Sequence, residues 1–292
     1  MVGPAFPVEL ERDIFETAAL SHPSTMAALV RVSRRVFIWI TPLLYRVAIL
    51  DMIPPHPGML PALLRAANRT PLPTVFPYVR HFLAGSGQLL DKERDVRDLL
   101  QLCTGVVDLA APYALRPTML PILGALRLQR LSISLFSLFG QDYDGGRSRI
   151  DFSPSLFASI THLSLFDSIH AASSIPAYRL SAWFPALTHL CFLHSTPLEL
   201  VRYLLVACSD LQVLVVRLIN ADVASKWAQD LVADKRLVAA QIASWSAEWV
   251  AAAYDQPNLW SHVEDFVTRR HRGAVIPDSC WLEHEEASSR WE

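Results

Sequence analysis

Charge is scarce in this chain. Only 18% of its 292 residues are Asp, Glu, Lys or Arg, against 52% apolar residues, and the mean hydropathy is +0.26. Much of the surface is therefore expected to be neutral or apolar, which favours a protein-binding face over a freely solvated enzyme. The net charge is −2 and the basic residues are scattered, so no positive field exists to recruit nucleic acid. Cysteine is scarce too. Cys103, Cys191, Cys208 and Cys280 show neither CxxC spacing nor histidines at zinc-finger distance, and they read as reduced, buried thiols with no metal site. A chain of this length buries roughly 75% of its unfolded surface, so it needs neither metal nor disulfide to hold a core.

Long apolar runs are also missing. Pro4 and Pro7, followed by Glu9, Glu11 and Asp13, interrupt any leader-like stretch. The most apolar segment, Phe37 to Leu50, contains Pro42 and Arg46 and is too short to cross a bilayer. The expectation is a cytoplasmic or nuclear protein without a membrane partner. No nucleophile stands with a base and an oxyanion site, so no catalytic residue and no cofactor are expected. Asp142-Tyr143-Asp144-Gly145-Gly146 lacks the later ligands and the bidentate glutamate of a calcium loop. Ala84-Gly85-Ser86-Gly87 is followed by no Walker lysine-serine pair and reads as a turn. Glu9 with Glu11, and Glu283 with Glu285 and Glu286, read as solvated carboxylates.

What the chain does have is self-similarity. The segment Leu156–Phe166 returns 27 residues on as Trp183–Leu193, and Arg97–Leu109 is echoed by Arg202–Leu214. Aligned on Phe82, Leu109, Leu131, Leu163, Leu190 and Leu214, the spacings are 27, 22, 32, 27 and 24. Most lie in the range of about 20–29 residues typical of leucine-rich repeats, and the long interval holds the loop insertion Gly140–Gly146. Each unit reads as a helix, such as Asp95–Leu102 burying Val96, Leu99, Leu100 and Cys103, followed by an alternating strand. A seventh strand is expected at Leu237–Ala240, 24 residues beyond Leu214. The fold class expected is α/β, an irregular leucine-rich-repeat solenoid of one strand and one helix per repeat.

Strand alternation turns Leu163 and Leu165 into the core and His162, Ser164 and Phe166 away from it. The outward positions Asp108, Arg130, Ser132, His162, Ser164, His189 and Arg217 are expected to form one connected concave face that holds a protein partner. His162 and His189 share a repeat position, about 5 Å apart on paired strands. No carboxylate or cysteine occupies the aligned positions of the adjacent repeats, so the pair reads as repeat drift rather than a metal site. Two closing helices, Ser244–Ala253 with Trp245 and Trp249, and Pro257–Arg270, are expected to cap the open end of the array. The divisions expected are 1–50, 51–243, 244–273, and a loosely ordered tail over 274–292 that includes Glu283–Glu286.

Residues 6 to 50 have a different texture. Three short helices are expected, the first with Leu10, Ile14 and Phe15 inward, the second capped by Ser24-Thr25 ahead of Met26, Leu29 and Val30. The third runs from Arg34 to Tyr45. The run Phe6-Pro7-Val8-Glu9-Leu10 with Ile14-Phe15, then Leu29–Arg35, Trp39 and Pro42-Leu43-Leu44-Tyr45-Arg46, resembles an F-box. The close of the chain, Arg236-Leu237-Val238, Trp245, Trp249, Leu259-Trp260 and Val263–Arg270, is likewise similar to fungal F-box-like proteins with degenerate leucine-rich repeats. Phe6 stands where leucine is commoner, and the third helix is more apolar than usual around Phe37–Ile40. The resemblance implies a module that docks on a Skp-family adaptor of a cullin ubiquitin ligase, with Pro7, Leu10, Ile14, Phe15, Leu29 and Val30 at the contact and the repeats holding an unknown protein substrate. The alternative is a scaffold whose bundle merely caps the repeats. Exposure of Pro7 and its helix face separates the two.

Overall fold

Consecutive parallel strands need long connections, because the chain must return along the length of the strand before the next one begins. The intervals of 22 to 32 residues between aligned leucines provide that length. A computed structural model describes residues 6–50, 58–69, 74–85, 92–139, 157–168, 182, 184–194, 196–219, 221–227, 231–275 and 279–282. Among these residues nine strands form one parallel sheet in strict chain order. They are β1 (Val47–Ile49), β2 (His81–Leu83), β3 (Asp108–Ala111), β4 (Arg130–Ile133), β5 (His162–Leu165), β6 (His189–Phe192), β7 (Val213–Arg217), β8 (Leu237–Ala240) and β9 (Trp281–Leu282). The result is a mixed α/β domain built on a single long sheet.

One row of this sheet runs Ala48, Phe82, Leu109, Leu131, Leu163, Leu190, Leu214 and Leu237. Leu237, not Val238, continues the row, so the last interval is one residue shorter than the sequence spacing suggests. On that side pack α4 (Leu60–Ala67), α5 (Glu93–Leu102), α6 (Leu120–Ala125), α7 (Leu135–Phe139), α8 (Leu198–Ala207) and α9 (Ala221–Trp227). In α5, Val96, Leu99 and Leu100 fall on one face and are buried, while Glu93 and Asp95 sit in the first turn, where the helix dipole favours them. Each fully buried leucine of this layer stabilises the fold by about 1.5–3 kcal/mol. The turn from α5 into β3 brings Gly105 so close to Pro77 that a Cβ would overlap the Pro77 carbonyl oxygen.

Three expectations are corrected. Val47–Ile49 belong to the sheet as β1 rather than to the helical module, because their three apolar side chains are covered on both faces. Trp281–Leu282 pair with β8 instead of lying in a loose tail, and Leu282 joins the core. Most consequentially, α10 (Trp245–Ala253) and α11 (Leu259–His271) do not cap an end of the array. They lie across the opposite face of the sheet. Trp249, Val250 and Ala253 of α10 pack on Val47, Ile49, Leu83 and Ala110. Leu259, Val263, Phe266 and Val267 of α11 pack on Cys191, Val213, Val215, Val238 and Ala240. A parallel sheet with apolar side chains on both faces has to be covered on both.

Local chemistry places this cover. Ser244 caps α10 by accepting the Ala247 N–H, and Asn258 with Ser261 forms a capping box for α11. Arg46, just before β1, donates to the Ala253 carbonyl and pairs with Asp255 at 2.9 Å. At the far end the buried Arg270 guanidinium donates to the carbonyls of Val232, Asp234, Lys235 and Leu237. The two helices are thus tied to both ends of the sheet.

The amino-terminal module comprises α1 (Val8–Ser21), α2 (Met26–Leu29) and α3 (Arg34–Leu44). It has its own small core of Ala19, Met26, Val36 and Ile40, with Phe15, Leu29, Val30, Trp39, Leu43 and Leu44 packed around it. Ser33 caps α3 by accepting the Val36 N–H. Two details differ from the sequence reading. Leu10 and Ile14 face outward, because Phe15 and Ala19 supply the inner stripe of α1. Thr25 donates its hydroxyl to the His22 carbonyl instead of capping α2. Among the described residues no helix is long and apolar enough to cross a membrane. The insertion Gly140–Gly146, Ser86-Gly87 and the acidic segment Glu283–Glu286 lie outside the described residues.

Candidate functional site

In-register pairing sets Asp108, Arg130, His162 and His189 side by side on the face opposite the leucine row, with Ser132 and Ser164 in the next row. Six of the seven positions expected on one concave face are therefore neighbours. The seventh, Arg217, lies at the carboxyl end of β7. The face itself is not open. Asp108, Ser132, Ser164 and His189 are buried, Arg130 and His162 are half-buried, and only Arg217 is exposed. The cause is the cover described above: α10 and α11 meet over β3–β6, and these polar rows fill the gap between their two apolar contacts.

Two constellations occupy this gap. In the first, the Trp249 indole N–H donates to the Asp108 carboxylate at 3.0 Å. The other Asp108 oxygen lies 3.3 Å from His81 Nδ1, and the His81 and Trp249 rings meet edge to face. A carboxylate only 2% exposed is tolerable because both oxygens have partners.

The second constellation comes from the repeated Thr-His-Leu of β5 and β6. The His162 and His189 rings stack with centroids 4.1 Å apart and planes 3° from parallel. Each Nδ1 meets the hydroxyl of the preceding threonine, Thr161 at 2.9 Å and Thr188 at 2.8 Å. Each hydroxyl in turn lies within hydrogen-bond reach of a main-chain carbonyl of the preceding strand's approach, Gln129 or Thr161. Trp260 of α11 stands edge-on to both imidazoles, and Glu264, one turn further along, reaches His189 Nε2 at 3.2 Å. Burial pushes the His162 pKa down to about 3 and that of His189 to about 4, with the Arg130 charge adding to both shifts. The two imidazoles are neutral at physiological pH.

Sequence comparison of neighbouring repeats found no third ligand beside these histidines. The structure supplies one from α11, 75 residues beyond His189 (264 − 189). Trp249 and Trp260 were expected in closing helices rather than over this face, and neither Glu264 nor His81 was expected at it. The one signal for them was the lack of polar alternation in Val213–Val216 and Leu237–Ala240, which means that something covers that face. The four cysteines are buried and unpaired. Burial pushes the Cys103 thiol up to about 12, so it is inert as a nucleophile.

The residues expected at an adaptor contact divide in two. Pro7, Leu10 and Ile14 are exposed, while Phe15, Leu29 and Val30 are half-buried against the module's core. Leu10 and Ile14 are four apart in α1 and share one face, and Phe6 lies just ahead of the helix. Each is more than half exposed, Phe6 at 55%, Leu10 at 52% and Ile14 at 55%. A separate groove opens at the carboxyl ends of β6, β7 and β8, lined by Leu193, His194, Arg217, Ile219, Val223 and Ile242. No protein-family model matches the chain, and no curated protein matches it.

Proposed function

We propose that the chain is a protein-interaction subunit whose amino-terminal helices dock on a Skp-family adaptor, as the substrate receptor of an F-box-type ubiquitin ligase does. The observation that carries this reading is the distribution of unburied apolar surface. Of the twelve large apolar side chains exposed among the described residues, seven lie between Phe6 and Ile38. A capping bundle would have turned that surface inward; a docking module keeps it available. The reading also takes the nine strands as an irregular leucine-rich-repeat array, supported by their chain-order pairing and by the leucine row that runs through them. Because α10 and α11 cover the concave face, the substrate is held instead at the groove around Arg217, the one exposed residue of the seven expected to bind a partner.

Co-elution of the purified chain with a Skp-family adaptor on size exclusion tests the adaptor contact. Ile14→Asp sets a charge on the exposed α1 face and should abolish co-elution with an unchanged melting temperature, since an apolar residue central to an interface can carry about 2 kcal/mol or more. Leu163→Asp, at a fully buried position, should unfold the sheet. Wild-type chain that fails to co-elute at micromolar concentrations would remove the ubiquitin-ligase reading.

A further inference from the structure

We propose that Nε2 of His162, Nε2 of His189 and the Glu264 carboxylate form a binding site for a divalent transition-metal ion of the zinc class. The three ligand atoms lie within 4.8 Å of one another. They come from two adjacent strands and the helix that crosses them, so the site exists only in the folded, covered sheet.

The surrounding groups can fix the tautomer that such a site requires. A metal-bound imidazole donates its other ring N–H to a fixed acceptor, which sets the tautomer and the ring direction. Thr161 and Thr188 provide that acceptor twice over. When each hydroxyl gives its proton to the Gln129 or Thr161 carbonyl, its oxygen receives the Nδ1–H of the next histidine. Both Nε2 lone pairs are then free of the threonines, on rings stacked 3° from parallel. Without a cation the other tautomer of His189 is satisfied as well, its Nε2–H donating to the Glu264 oxygen at 3.2 Å and its Nδ1 accepting from Thr188, so a bound metal takes the place of that Nε2 proton.

Ligand type and spacing agree with this metal class. Two neutral imidazoles and a carboxylate suit zinc and its borderline neighbours better than calcium or magnesium, which take oxygen. Tetrahedral bonds of about 2.0–2.2 Å place ligands roughly 3.3 Å apart, close to the His189–Glu264 separation. The stacked rings have to tilt towards one another for both Nε2 atoms to reach one ion. Arg130, next in the row, opposes a divalent charge, and the Glu264 carboxylate offsets it. Three protein ligands leave a fourth position for water or an incoming group, on the side where the Glu264 side chain is 53% exposed. The metal would pin α11 to β5 and β6.

The test uses the full chain, stripped with a chelator and titrated with Zn²⁺ by calorimetry and with Co²⁺ by visible absorption. The expected result is one ion per chain, intense tetrahedral-type Co²⁺ bands and a raised melting temperature with Zn²⁺. Glu264→Gln, on the open side, should keep the far-UV spectrum of the wild type and weaken Zn²⁺ binding by about tenfold or more. His162→Ala and His189→Ala should remove it. If either histidine variant fails to fold, the Glu264→Gln titration alone decides. Absence of stoichiometric Zn²⁺ binding by the wild-type chain, or equal affinity in Glu264→Gln, would overturn the site.

Discussion

Replacing Trp249 by phenylalanine would show how firmly the carboxyl-terminal helices are seated. The substitution retains most of the ring packed on Val47, Ile49, Leu83 and Ala110 but deletes the N–H that reaches Asp108 at 3.0 Å. Both residues are buried, at 6% and 2% exposure, so water cannot replace the lost donor. Hydrogen bonds to charged groups contribute about 1.5–3 kcal/mol, and a buried acceptor left short of a partner costs the upper part of that range. The expected loss is therefore about 2–3 kcal/mol. With a urea slope of about 2–3 kcal/mol per molar, the unfolding midpoint should fall by about 1 M. Equilibrium unfolding followed by near-ultraviolet circular dichroism measures it. Adding Asp108→Asn and the double variant completes a cycle whose coupling should exceed about 1 kcal/mol. A Trp249→Phe loss under about 0.5 kcal/mol, or a coupling near zero, would mean that α10 does not lie on the sheet as described.

Two further outcomes follow from buried groups. His162 and His189 stay neutral in the fold to about 3 and about 4, whereas in the unfolded chain they protonate near 6.5. Below that value the unfolded state binds more protons, so stability should fall as pH drops from 6.5 towards 4, by up to about 1.4 kcal/mol per unit for each histidine. Melting temperatures in chelator from pH 7.5 to 4.5 check this, and a His162→Gln/His189→Gln variant with the same slope would refute it. Gly105→Ala should destabilise by about 1–3 kcal/mol through overpacking against the Pro77 carbonyl. A chemical melt within 0.5 kcal/mol of wild type, taking about that value as the bound for a neutral surface change, would show that the turn has room.

The legible part of the fold is the part that repeats. Leu109, Leu131, Leu163, Leu190 and Leu214 recur at strand-and-helix spacing, and the sheet pairs them in that order. Helix α5 is legible for the same reason, since Val96, Leu99 and Leu100 mark one face. Strand β1 was hidden because its three residues continue the apolar run of α3, and β9 because two residues carry no period at all. The contact between Trp249 and Asp108 joins positions 141 apart. Periodicity says nothing about which helix crosses which strand at that range, and Glu264 was missed on the same ground.

Composition had pointed to an open, partner-binding face, and the sheet shows where that excess of apolar residues goes. A half-solvated sheet alternates apolar and polar side chains along every strand. Here β4 and β5 alternate, with Arg130, Ser132, His162 and Ser164 on one face, while β7 and β8 present Val213, Val215, Val238 and Ala240 on that same face. Water-facing valines in a row would be an aggregation liability, so the flanks require the cover that α10 and α11 provide. The polar centre then survives only because the cover bridges it: each charged or imidazole group there has to find its partner within the gap or remain half-open at its edge. Asp108 finds Trp249 and His81, and His189 finds Thr188 and Glu264. Away from this gap, the α1 face with Leu10 and Ile14 and the groove at Arg217 remain exposed, so substitutions there should leave stability within about 0.5 kcal/mol of wild type in a chemical melt.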